Sequence, residues 1–270
     1  LGGREITEEQ FEELREHAGH LVRFGNDYVY ATASEIDSIL KRLSGKAQRP
    51  SRLRLLEAAL SGTYEGNEVF MDGKIRKAIN EELRTPPAKV PDGLRATLRP
   101  YQERGYSWLM HNLRARMGSI IADDMGLGKT VQVIAALENL RAAGELEKDP
   151  ALVTVPASVV INWTRELKRF APDLSVNVYY GTQRSLEPKA NVLLTTYGTL
   201  RQDIEKLKDK KWRVAVADEA QNIKNPGSQI FQDMCIIKAD SAIAMSGTPV
   251  ENRLADYWAI MEFVNPGLFG

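Results

Sequence analysis

The sequence has a single cysteine, Cys235, among 270 residues. An intrachain disulfide is excluded, which fits a reducing compartment. There are three histidines. His17 and His20 lie close together near the expected end of a first helix, but no third and fourth ligand stands nearby to make a metal site. No apolar run approaches the ~18 residues of a membrane span, so no membrane partner is expected. The opening LGGREITEEQFEELRE is too charged for a secretory signal. Excess charge is absent as well: Lys+Arg and Asp+Glu both number 36. Residues 1–93 and 94–270 are each close to balance, so neither is a polycationic arm. Any nucleic-acid contact must then come from local placement. Internal repeats and low-complexity tracts are missing too. The first residue is Leu1 rather than Met, so a piece of a longer chain is expected. What is present is an ordinary globular composition, 43% hydrophobic and 27% charged, of a length for about two domains.

Residues 1–93 read as a small α+β unit, mainly helical with one hairpin. Thr7 and Gln10 make a capping box for a helix through about Ala18. LVRF, a turn at Gly25-Asn26-Asp27 and YVYA then form the hairpin. Ser34 and Asp37 open a second helix, with Ile36, Ile39, Leu40 and Leu43 at helical spacing. Further helical patterns lie near 52–60 and 72–83. The proline-rich TPPAKVPDG at 85–93 marks a linker. A helix carrying Tyr101, Gly105, Trp108 and Leu109 follows from about Pro100.

From residue 119 onward strands and helices alternate. Apolar runs stand at 119–122, 151–155, 176–180, 191–196, 214–217 and 242–245. Helical patterns lie between them, including 131–143, 159–171, part of SLEPKA at 185–190, and PGSQIFQDMCII at 226–237. That rhythm predicts a mostly parallel sheet with helices on both faces. Ligands of such sheets sit at the carboxyl ends of the strands.

Three motifs fall at those ends. The first is SIIADDMGLGKTVQ, residues 119–132: a strand, a glycine turn and a helix start. Gly126 and Gly128 let the backbone turn tightly and approach an anion without a Cβ in the way. Backbone N–H groups of Asp124, Met125, Gly126, Leu127 and Gly128 would then point at phosphate oxygens. Lys129 would reach the β- and γ-phosphates, and the Thr130 hydroxyl would ligate Mg²⁺. Asp123 stands where the general pattern has its first glycine. A dinucleotide fingerprint fits less well, because Val131 stands where a third small residue is needed. The second motif is VAVADEAQ. An apolar strand ends in Asp218, the expected partner of Mg²⁺, and Glu219, which can deprotonate the attacking water. The third is AMSGTPVENRL, where Ser246, Gly247 and Thr248 follow another apolar strand. The Ser246 and Thr248 hydroxyls can hydrogen-bond the acids or nearby backbone.

The ordered set LRPYQ, DDMGLGKT, TVPASVVINW, LLTTYGTL, DEAQNIKNP and SGTPVENRLADYWAIMEFVNPGLFG resembles the Swi/Snf family of ATP-driven double-stranded DNA translocases, in helicase superfamily two. The resemblance covers about residues 94–270 and is most like prokaryotic members. It implies a RecA-like P-loop lobe, ATP and Mg²⁺ as cofactors, and duplex DNA as partner. Gln102 would read the adenine edge. Lys129, Asp218 and Glu219 would be catalytic, with Thr130 and Asp218 on the metal. Gln221 stands where many members have histidine and would link the acids to Ser246, Gly247 and Thr248, which couple nucleotide state to DNA. Pro156, Ser158, Asn162 and Trp163, with Thr195, Thr196 and Tyr197, would lie on the DNA-facing side, with core packing the other reading of Trp163. Small hydroxyl residues and backbone N–H groups suit phosphate contacts without base reading, so binding should be sequence-independent and salt-sensitive. The unit before the motor resembles the accessory module of many bacterial members.

The family carries a second RecA-like lobe with an arginine finger, expected beyond Gly270. Residues 1–270 alone should therefore bind ATP weakly and hydrolyse it poorly. A cytoplasmic, nucleoid-associated location is expected. The competing reading is a nucleotide-gated DNA-binding or protein-docking scaffold without turnover, against which intact Lys129, Asp218 and Glu219 argue. An unrelated small-molecule kinase would need a substrate lid, and none is evident.

Overall fold

A computed structural model describes residues 8–24, 27–30, 32–34, 36, 58, 62–64, 67–68, 73, 77, 85–247 and 254–268. The chain separates into two compact units, Leu1–Ser51 and Arg52–Gly270.

In the first unit a helix, α1 (Glu8–Glu16), precedes a hairpin of β1 (Leu21–Phe24) and β2 (Asp27–Tyr30). The hairpin pairs antiparallel with Phe24 opposite Asp27, so the second strand begins one residue earlier than the sequence suggests. Val22 is buried, as is Ile36. Residues 25–26 and the rest of the second helical pattern lie outside the described residues.

The second unit opens with a short pairing that the sequence reading missed, β3 (Thr63–Tyr64) against β4 (Asn67–Glu68). The proline-rich stretch 85–93 has neither helix nor strand, as its residues require. It is nonetheless strapped down. The Ala88 N–H donates to Ser107 Oγ at 3.0 Å, and Tyr106 Oη donates to the Lys89 carbonyl at 2.9 Å. Leu94 and Leu98, just after it, join the main core.

The sheet has six parallel strands: β5 (Ser119–Ile121), β6 (Ala151–Val155), β7 (Val176–Tyr179), β8 (Val192–Thr196), β9 (Val214–Ala217) and β10 (Ala242–Met245). Their spatial order is β5-β10-β9-β6-β8-β7. Chain order reverses beside β5, which leaves a crevice at the carboxyl ends of β5, β10, β9 and β6. One face is covered by α2 (Pro100–Ala115), α3 (Lys129–Ala142) and α4 (Val160–Phe170). The other carries α5 (Tyr197–Gln202), α6 (Ile204–Leu207), α7 (Gln229–Cys235) and α8 (Leu254–Val264).

The strand sequences explain the two layers. Side chains alternate across a strand, so VAVA sends Val214 and Val216 to the first face and Ala215 and Ala217 to the second. AIAM does the same with Ile243 and Met245 against Ala242 and Ala244. Bulky side chains meet α2–α4, while alanines let α5–α8 approach. Both faces are apolar because both are covered.

One helical expectation fails. Residues 185–190, SLEPKA, form no helix, with a turn only at Pro188 and Lys189. Pro188 removes a backbone donor, and Asn177 ties the segment open by donating to the Ser185 carbonyl at 3.1 Å and accepting from the Glu187 N–H at 3.3 Å. No helix among the described residues is long and apolar enough to cross a membrane.

Candidate nucleotide-binding site

The loop between β5 and α3 forms one wall of the crevice. Gly126 and Gly128 have φ of 82° and 78°, the left-handed region that favours glycine. At Gly128 a Cβ would also stand 2.5 Å from Gln102 Nε2. That approach exists because α2 is tied to the loop. Gln102 Nε2 donates to the Leu127 carbonyl at 3.0 Å, as does Tyr101 Oη at the same distance. Gln102 Oε1 accepts the Arg99 N–H at 2.9 Å and so caps its own helix. Both ends of the Gln102 amide are thus engaged by the loop and the helix start. Gln132, one turn into α3, donates to Asp123 Oδ2 at 3.0 Å, which gives the departure from glycine at 123 a structural role. Lys129 Nζ donates to the carbonyls of Asp123, at 2.7 Å, and Asp124, at 3.2 Å. The ammonium thus rests on the loop that it would leave for a phosphate.

The acids at the end of β9 form the opposite wall. Asp218 is 8% exposed. Its Oδ2 accepts the Trp163 indole N–H at 2.7 Å, and its Oδ1 accepts the Glu219 backbone N–H at 2.9 Å. Its carbonyl accepts Tyr197 Oη at 2.7 Å, and its N–H donates to the Thr154 carbonyl at 2.9 Å. Burial pushes the Asp218 carboxyl up, while the Trp163 and Glu219 donors pull it back. Burial also pushes the Tyr197 phenol well up, reinforced by the Asp218 and Glu219 charges, so it stays a donor.

Glu219 sits at φ 49°, one of two non-glycine residues with positive φ among the described residues. Such a backbone costs about 1–3 kcal/mol and persists where neighbours enforce it. Here they do: Gln221 Nε2 donates to Glu219 Oε2 at 2.8 Å, and Ser246 Oγ donates to Gln221 Oε1 at 3.1 Å. Ser246 is fully buried, and its N–H donates to the Ile121 carbonyl at 3.0 Å. Gln221 therefore bridges the acid box to the end of β10.

Between the walls lies a cleft of about 470 Å³. Met125, Gly126, Gly128, Lys129 and Thr130 line one side, Asp218 and Glu219 the other. Asn162, Trp163 and Glu166 of α4 and Met245 of β10 also line it, with Val131, Val159 and Phe170. Sequence reasoning did not place Glu166 or Met245 there. Glu166 reaches the cleft through tertiary packing and belongs to no local motif; Met245 lies within the third motif but was read there only as part of an apolar strand. Gly247 stands beside the loop, where a Cβ would lie 3.1 Å from Met125 Cγ and 3.9 Å from Lys129 Nζ. Asp124 and Leu127 are exposed at the loop rim. Thr248 lies outside the described residues.

Four side chains expected on the DNA-facing side are buried. Trp163 is 1% exposed and spends its N–H on Asp218. Thr195 is buried and donates to the Tyr179 carbonyl at 2.9 Å. Thr196 is buried and caps α5, its Oγ1 accepting the Thr199 N–H at 3.1 Å. Tyr197 is buried against Asp218. Side chains that the sequence offers to a ligand are here used by the neighbouring strand β7, by Asp218 and by the cap of α5. Pro156 is partly exposed, and Ser158 and Asn162 are exposed; Asn162 Nδ2 donates to Glu166 Oε1 at 2.9 Å.

Among the described residues no group of three or more His, Cys, Asp or Glu could hold a metal ion. A carboxylate and a threonine hydroxyl on opposite sides of one cleft instead suit an ion that takes most ligands from phosphate and water, as Mg²⁺ does. His17 is a helix-end residue, its Nδ1 3.0 Å from the Glu13 carbonyl oxygen.

Comparison with known proteins agrees with this geometry. A match to the SNF2-related domain spans residues 101–270. The candidate ATP-dependent helicase/translocase YwqA of Bacillus subtilis is 35% identical, over 99% of this chain and 32% of its own length. The helicase swr1 of Aspergillus fumigatus is 38% identical over 68% of this chain and 11% of its own. The Sulfolobus solfataricus SWI2/SNF2 ATPase core in complex with dsDNA superposes with a TM-score of 0.63 at 42% identity, covering 67% of this chain and 38% of that one. The chain spans about a third of the length of its Bacillus relative. A six-stranded parallel sheet, a glycine loop facing a strand-end acid pair, and these relatives lead to one conclusion: the chain belongs to the SNF2 family of helicase superfamily two.

Proposed function

We propose that residues 94–270 are the ATP-binding lobe of a DNA-dependent ATPase that couples hydrolysis to movement along double-stranded DNA. The observation that carries this is the shared cleft, with Lys129 and Thr130 on one side and Asp218 and Glu219 on the other. The loop from 124 to 130 would hold the triphosphate, with Lys129 on its outer phosphates. Thr130 and Asp218 would hold Mg²⁺, which supplies charge neutralisation of the phosphate oxygens when bound. Glu219 would take a proton from the attacking water. Gln102 would present its amide to the adenine edge on exchanging its hold on Leu127. Gln221, Ser246, Gly247 and Thr248 would carry nucleotide state toward DNA, the Glu219–Gln221–Ser246 relay being the described part of that route.

Pro156, Ser158 and Asn162 are the proposed contacts to the phosphate backbone. Trp163, Thr195, Thr196 and Tyr197 would support that surface from beneath. A second RecA-like lobe beyond Gly270 would complete the site, and nucleoid association would follow from action on DNA. Residues 1–93 are proposed as an accessory unit.

ATP turnover by the full-length parent, measured with random-sequence duplexes across a salt series, tests this. Stimulation by every duplex, falling steeply as salt rises, is expected. Turnover indifferent to DNA would contradict the motor reading, and no turnover at all would favour a scaffold.

A further inference from the structure

Trp163 has no role in the proposal above beyond support, yet its position is specific. A buried indole N–H usually finds a carbonyl, and Trp212 does so here, donating to Leu207 O at 3.2 Å. Trp163 instead donates to a carboxylate that lines the cleft, at 2.7 Å. Bonds to ionised acceptors are short and strong. The other oxygen of Asp218 is held by the Glu219 backbone N–H at 2.9 Å. With one donor on each oxygen, the carboxylate cannot rotate without breaking both bonds. Each oxygen keeps lone-pair capacity for a further partner. The indole is also nearly inaccessible to solvent, so removing its N–H takes a buried donor from the carboxylate.

We propose that Trp163 is a positioning residue for Asp218: its indole N–H sets the carboxylate rotation that presents Asp218 to the divalent ion accompanying the nucleotide. The inference rests on reading the cleft as a Mg²⁺–ATP site. Partners that orient a metal-binding group commonly change metal affinity by about 10–100-fold when removed.

The test uses Trp163→Phe in the full-length parent, which keeps an aromatic ring and deletes the donor. Its Mg²⁺ requirement is read by turnover on duplex DNA at fixed ATP. Binding of a fluorescent ATP analogue with Mg²⁺ and with EDTA is the second readout. The half-saturating Mg²⁺ concentration should rise by roughly tenfold or more, with turnover recovering at high Mg²⁺. Analogue binding in EDTA should match the unaltered protein, and the gain on adding Mg²⁺ should shrink. A folded Trp163→Phe protein with unchanged Mg²⁺ dependence overturns the proposal, provided Asp218→Asn has lost that dependence. If Asp218→Asn keeps it too, the nucleotide-site reading falls and takes this inference with it. Should Trp163→Phe fail to melt cooperatively, the unaltered protein decides. Adding Mg²⁺ to its ATP-bound form should change tryptophan emission, and Asp218→Asn should abolish the change. Emission indifferent to Mg²⁺ overturns the proposal.

Discussion

The glycine-loop wall and the acid wall of the cleft differ in what holds them. Met125 on the loop is 75% exposed, and a Cβ at Gly126 would meet nothing within 4 Å. Among the described residues Lys129 hydrogen-bonds only carbonyls of its own loop. Asp218, by contrast, is gripped from α4, from α5 and from its own neighbour. Glu219 is held in a left-handed backbone with Gln221 and Ser246 behind it. The acid wall is braced from several elements, whereas the loop wall is tied at the Leu127 carbonyl and at Asp123 and rests Lys129 on its own backbone. Preorganised groups act without reorganisation at the moment of reaction; under the proposed function the lysine would trade its own carbonyls for phosphate.

This contrast can be broken at either wall. Lys129→Ala in the full-length parent should abolish ATP turnover, a loss of roughly 10²–10³-fold or more, together with nucleotide affinity. Glu219→Gln should cost turnover on the order of 10²–10⁴-fold while leaving ATP-analogue binding close to that of the unaltered protein. Steady-state rates and analogue titrations on both variants check the split; equal loss of binding in the two would erase the distinction between the walls.

Gly128→Ala probes the loop alone. A side chain there meets left-handed strain of about 1–2 kcal/mol and the Gln102 amide. Analogue affinity should fall by roughly tenfold, and melting should drop by about the few degrees that such strain implies.

The smallest effect lies away from the cleft and serves as a reference for stability without chemistry. Asp203 accepts Lys206 Nζ at 2.8 Å, Arg184 Nε at 2.6 Å and Tyr179 Oη at 2.9 Å. The Lys206 bond first, then Arg184, lowers its carboxyl to about 2. A lowered carboxylate adds stability above its unfolded value, and that stability is lost as pH falls through the folded value. Asp203→Asn should therefore cost about 1–2 kcal/mol at neutral pH, and the difference should vanish between about pH 4 and pH 2. Melting curves across that range check it.

The sequence makes one half of this site easier to read than the other. The glycine loop, Lys129 and the Asp218–Glu219 pair announce themselves because their chemistry is local: a turn, a helix start, a strand end. The six strands are equally legible, since covered faces make continuous apolar runs. The braces are not. Trp163 and Asp218 are 55 residues apart, Tyr197 and Asp218 21, and Ser246 and Gln221 25. Nothing in their local sequence distinguishes an aromatic that holds an acid from one that fills a core. For the same reason Thr195 and Thr196 read as ligand-facing hydroxyls, when their oxygens are already used by Tyr179 and Thr199. SLEPKA misled in the opposite way: its composition tolerates a helix, but Asn177 from a neighbouring strand takes its backbone groups.

The most direct test of the central claim is a crystal structure of this chain with a non-hydrolysable ATP analogue and Mg²⁺. The triphosphate is expected between Lys129 and the Asp218–Glu219 pair, with the Lys129 ammonium moved from the Asp123 and Asp124 carbonyls onto phosphate oxygens and the Asp218 carboxylate unrotated. An analogue bound elsewhere, or one bound in the cleft with Lys129 still on its own loop, would contradict it.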